Sequence, residues 1–84
     1  MAIREIFDAV LALDEAQTAH MVQAELDLGA DVMTLLNQGL IAAMDEVGRR
    51  FEEGAFFVPE LLIAARATKE IFRILHPLLA KKGS

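Results

Sequence analysis

Residues 44–79 read MDEVGRRFEEGAFFVPELLIAARATKEIFRILHPLL, and the punctuation of this stretch decides the fold. Up to Glu53 the apolar residues recur at helical spacing. Gly54 then reads as a helix terminator, since glycine enters the left-handed region without steric penalty. Pro59 suits the first turn of a new helix, where its missing N–H is not needed. Between the two lie Ala55, Phe56, Phe57 and Val58. A loop keeps such apolar residues when they plug the core or face a partner. The new helix carries Leu61, Leu62, Ala65, Thr68, Phe72 and Leu75. It is expected to kink or stop near His76, because Pro77 cannot donate to the helical ladder.

Upstream, Asp31 caps the long helix that Gly54 ends, and Leu36, Leu40, Ala43, Val47 and Phe51 form one apolar stripe along it. Gly39 and Gly48 fall inside this helix, where glycine costs about 1 kcal/mol relative to alanine. Close approach of another helix or of a ligand is the usual reason for tolerating that cost. Asp14, with Gln17 three residues on, makes a capping box for an earlier helix, with Leu13 before it as a staple residue. That helix presents Ala19, Val22 and Leu26 and should stop at Gly29. Ahead of it, Ile3, Ile6, Phe7 and Val10 share one helical face. Lys81 to Ser84 read as a frayed tail. The spacing thus predicts helices over about 3–12, 14–28, 31–53 and 59–76, with no strand pattern. Short connections favour antiparallel neighbours, so the expected fold class is all-α: one domain, a four-helix bundle.

Composition narrows the function. The 84 residues are 55% apolar, above the roughly 45–50% usual for soluble domains, and a chain this short cannot hide them all. An exposed apolar patch for a partner or ligand is therefore expected. The net charge of −5 argues against nucleic acid, because phosphate binding needs clustered Lys and Arg. There is no cysteine, hence no disulfide framework, thiolate nucleophile or cysteine-based metal site. Glu5 and Asp8 stand where a signal peptide would be basic, and no stretch approaches the roughly 18–20 apolar residues of a membrane span. The expectation is a cytoplasmic protein with no membrane partner.

The pattern Met44-X-X-Val47-Gly48-X-X-Phe51, then Gly54, then Phe57-Val58-Pro59-Glu60-Leu61, then an Ala-rich helix with Leu75-X-Pro77, resembles the helical cap domain of cobalamin-dependent methyltransferases. It is similar both to the methionine synthase cap and to the N-terminal half of small corrinoid proteins. The match is dense over residues 39–79, and the helical N-terminal half is compatible with it. The resemblance implies a cap lying over the upper face of a corrin, with Phe51 as the aromatic lid and Val58 and Leu61 as aliphatic contacts. Apolar side chains there would exclude water from a reactive cobalt centre. Phe57 is expected to anchor the loop in the core. The resemblance further implies cobalamin as cofactor, held together with a Rossmann-like domain, and methyltransferase subunits as partners.

Two departures from the family matter. Light-sensing relatives carry Trp at the Phe51 position and a Glu-His pair where this chain has Leu61-Leu62, which argues against a photoreceptor. The Asp-X-His-X-X-Gly motif of the Rossmann-like domain does not occur in these residues, so the chain is expected to be an excised or a free-standing cap with little affinity for cobalamin alone.

No Ser/His/Asp arrangement or glycine-rich phosphate loop can be assembled, so catalysis by this chain alone is not expected. His20 and His76 have no second ligand at helical spacing, and no metal site is expected. Asp45-Glu46 and Glu52-Glu53 read as a solvated face and a helix end, with Arg49 and Arg50 one turn back to offset Glu53. Glu60 suits the dipole of a first helical turn. The alternative function is a cofactor-free helical module whose excess apolar surface forms a homodimer.

Overall fold

The computed structural model describes residues 3–83, with side chains through Lys81. Among them are four helices and no strand: α1 (Ile3–Leu11), α2 (Glu15–Asp27), α3 (residues 32–52) and α4 (Val58–Gly83). Helix α3 is composite. An opening α turn, Val32–Thr34, passes into a π-helical segment, Leu35–Ile41, and then into regular α-helix, Ala42–Glu52.

The first three helices stop in the same way. Asp14 N–H donates to the Ala9 carbonyl at 3.1 Å, Ala30 N–H to Glu25 at 2.9 Å, and Ala55 N–H to Arg50 at 2.9 Å. Each bond spans a residue in the left-handed region: Leu13 (φ +62°), Gly29 (φ +91°) and Gly54 (φ +80°). This is the Schellman ending, which satisfies carbonyls that the helix leaves without partners. Leucine in this conformation is strained by roughly 1–2 kcal/mol. Leu13 accepts that strain while its side chain packs against the core. Carboxylates open the next elements: Asp14 Oδ1 accepts from Gln17 N–H and Asp31 Oδ2 from Thr34 N–H, both at 3.0 Å.

Ile6, Val10, Val22, Leu35, Val47, Ile71 and Leu75 are fully buried and form the centre of one core. Helix α2 has its most extensive contact with α4, and α1 packs against both α2 and α3. Three buried faces are rotated from the expected stripes. On α2 it is Thr18, Val22 and Glu25 that turn inward, while Ala19 and Leu26 stay at the margin. Thr18 is tolerated there because its hydroxyl donates to the Asp14 carbonyl at 2.7 Å. On α3 the inward set is Leu35, Gly39, Ala43 and Val47, each four residues from the last, and Phe51 turns outward. Steps of four drift around a regular α-helix, and the wider π turns absorb that drift. On α4 the buried residues are Ala64, Ala67, Thr68, Ile71 and Leu75, whereas Leu62 and Phe72 are exposed.

Helix α4 does not end near His76. It continues through Pro77 to Gly83, across the first residues of the expected tail. Ser84 lies outside the described residues. Pro77 forfeits one ladder hydrogen bond, but Ile74 and Leu79, on either side of it, both pack on the core, and their burial holds the turn together.

Candidate functional site

The turn from α3 into α4 is tied at both ends. Gly54 N–H donates to the Phe51 carbonyl at 3.1 Å, and the Arg50 carbonyl accepts from both Ala55 and Phe56. At the far side the Phe57 N–H donates to Glu60 Oε1 at 2.8 Å, while the Phe57 carbonyl accepts from Leu61 at 3.0 Å. Glu60 thus supplies the carboxylate half of a capping box, satisfying the Phe57 N–H, in addition to its favourable place in the helix dipole. The turn has little freedom to rearrange, so its side chains are presented in fixed directions.

Phe56, 9% exposed, is the aromatic that anchors the loop; Phe57, expected in that role, is 67% exposed. The capping geometry accounts for the correction. Phe57 occupies the N-cap position, where the chain enters the helix from outside, and its ring is left in solvent. The Phe56 ring goes inward, with the Arg50 guanidinium 5.6 Å from its centre.

Of the three residues assigned to the lid, Phe51 is 43% and Val58 56% exposed, at the two ends of this turn. Leu61 is partly buried and packs against the core. Sequence reasoning gave Leu62 no contact role, yet it is 56% exposed. The signal was present: Leu62 lies four residues after Val58 and therefore on the same helical face. Met44 and Ile41 extend the exposed apolar surface up α3 from Phe51.

A charged cluster stands beside this surface. Glu46 accepts hydrogen bonds from Arg49 and from Arg50, the latter at 2.9 Å, and Arg49 Nη1 reaches Glu53 at 2.7 Å. The Arg49 hydrogen bond, followed by that of Arg50, lowers the Glu46 carboxyl from 4.5 to about 2. The same bond pushes the Arg49 guanidinium up. Arg49 therefore offsets Glu53 as expected, while Arg50 is committed to Glu46 and the Phe56 ring.

The face of a planar, largely apolar macrocycle fits a surface of this kind. Phe51, Val58 and Leu62 offer apolar area, and the carboxylates of Glu46, Glu53 and Glu60 are already engaged with partners of their own. Among the described residues no group of three His, Asp or Glu side chains comes together to hold a metal. His20 and His76 are both exposed, and His76 stacks on Phe72 with ring centres 5.3 Å apart. No helix among the described residues is long and apolar enough to cross a membrane.

Residues 2–76 match the family described as the B12 binding domain. The chain is similar to trimethylamine corrinoid protein 1 of Methanosarcina acetivorans, 35% identical over 77 residues that make up 92% of this chain and 36% of that protein. It is also similar to monomethylamine corrinoid protein 1 of Methanosarcina mazei, at 33% over 85 aligned positions, gaps included, that cover 96% of this chain and 39% of the relative. A corrinoid protein of Desulfitobacterium hafniense is 33% identical over 79 residues, 94% of this chain and 37% of its own length. The chain spans a little over a third of the length of these relatives. No solved structure matches it.

Proposed function

Because this chain belongs to the B12 binding domain family, whose cofactor is a corrinoid, we propose that it serves a methyl-transfer system as a lid over the upper face of that cofactor. The observation that carries this reading is the pair of half-exposed apolar side chains, Phe51 and Val58, held at the two ends of one hydrogen-bonded turn. The Phe51 ring supplies a flat surface against the macrocycle. Val58 flanks it, and Leu61 supports the rim from its partly buried position. Together these side chains exclude water from the space they cover. The bound corrinoid would supply the metal centre that carries the methyl group.

A Rossmann-like domain is the partner that would hold the other face of the corrinoid. Methyltransferase subunits would dock when the lid moves aside. Similarity to corrinoid proteins named for trimethylamine and monomethylamine supports a methylamine as the methyl source.

The test adds the chain to a methylcobalamin-loaded Rossmann-like corrinoid domain and follows the corrin absorption and its photolysis rate. A lid changes both, and Phe51→Ala weakens the effect by at least about tenfold, the equivalent of roughly 1.4 kcal/mol of lost contact. An unchanged spectrum at saturating chain would sink the proposal. If that result came with concentration-dependent dimerisation, the apolar surface would belong to self-association instead.

A further inference from the structure

Gly48 stands in the middle of the regular part of α3, and nothing inside the domain requires a glycine there. Its φ is not positive, unlike Gly29 and Gly54, so alanine would adopt the same backbone without strain. A Cβ built on it meets no atom within 4 Å. Gly39 is different: it is buried where α3 meets α1, and its Cβ would lie 3.5 Å from Ile6 Cγ2. A mid-helix glycine with open space beside it gives up helix propensity for no internal return.

The neighbours of Gly48 on its own face point outside the domain. Met44 lies one turn before it and Phe51 one turn after, so the three share a side of the helix. Met44 is 42% exposed and Phe51 43%, so two large apolar side chains flank a gap where the helix backbone is bare. A flat ligand resting on the Phe51 ring and the Met44 thioether would pass directly over that gap. Any side chain at position 48 would hold it off.

We infer that Gly48 is a close-approach point, at which the corrin macrocycle lies against the α3 backbone between Met44 and Phe51. The contact surface then extends from the α3–α4 turn up α3 and is not confined to Phe51, Val58 and Leu61. This inference rests on the lid reading and adds to it a residue whose role is the absence of a side chain. Met44, flexible and polarizable, adapts to the edge of the ring.

Stability and binding should move in opposite directions at this residue. Gly48→Ala and Gly48→Leu place good helix formers on an open face, so both should melt above the native chain, alanine by about 4–8 °C, in circular dichroism without cofactor. With the methylcobalamin-loaded Rossmann-like domain as probe, the chain concentration needed to reach half the photolysis change should rise about tenfold for Gly48→Ala and further for Gly48→Leu. A lower melting temperature for Gly48→Ala would mean that the fold itself needs the glycine, and would overturn the inference. So would variants that titrate like the native chain while Phe51→Ala is shifted, an outcome that leaves the lid reading standing. If neither Gly48 nor Phe51 substitutions alter the titration, or the native chain has no effect, both fall together.

Discussion

Phe56 and Phe57 are chemically identical neighbours with opposite duties. Phe56 is buried against the core and Phe57 stands in solvent. Phe56→Ala should therefore destabilise the chain by about 3–4 kcal/mol, the cost of emptying a packed aromatic site. Phe57→Ala should stay within about 0.5 kcal/mol of native, as exposed substitutions do. Urea unfolding of the two variants side by side checks the contrast, and equal losses would contradict the assignment. The sequence marked this loop as the place where apolar side chains matter, but it could not say which ring turned inward. That depends on the hand of the backbone as it leaves Gly54 and on the Glu60 cap, which makes Phe57 the last residue outside α4. Leu61 and Leu62 repeat the lesson. Either satisfies a helical pattern, and only the rotation of α4 about its axis leaves Leu62 the more exposed.

At the scale of the helices, the breakers were legible and the rotations were not. Asp14 and Asp31 cap their helices through side-chain hydrogen bonds, and Gly29 and Gly54 end theirs in the left-handed region, all consequences of local chemistry. Which stripe of α2, α3 or α4 turns inward is a collective result of packing. The π segment of α3 adds a register change that a period of 3.6 residues does not contain. Pro77 misleads for a related reason, since local propensity yields to the burial of Ile74 and Leu79. The Glu46 cluster is the element-level feature with a pH signature. Its carboxyl titrates at about 2 in the folded chain against an ordinary 4.5, because Arg49 and Arg50 donate hydrogen bonds to its charged form. A lowered folded value means that this stabilisation is complete above about pH 5 and fades as the pH falls toward 2. Glu46→Gln should thus reduce stability at neutral pH and flatten the decline on the acid side of the stability curve. An acid limb of unchanged slope in thermal melts from pH 5 to 2 would show that Glu46 does not contribute to it.

The described residues span 39 × 24 × 17 Å, and of the side chains proposed for the lid only Leu61 packs against the core. The central side chains, among them Ile6, Leu35, Ile71 and Leu75, are sealed by other parts of the same chain. Phe51, Val58 and Leu62 lie outside that cluster and contribute little to holding it together. A lid that swings between a covered and an open position has to keep its shape in both, so its folding cannot wait for the group it covers. The arrangement meets this condition: the core closes without a ligand, and the apolar rim is flanked in sequence by the charged side chains of Arg49, Glu53 and Glu60. The chain alone, without cobalamin, should therefore give a strongly helical far-ultraviolet spectrum and unfold in one cooperative thermal transition. Excess free methylcobalamin should leave that transition nearly unmoved, because a ligand raises stability only in proportion to its own affinity for the folded state. A broad, non-cooperative melt that sharpens on adding corrinoid would reverse the order of events, with the cofactor organising the bundle. In that case Phe51 and Val58 would have to be counted among the residues that build the fold.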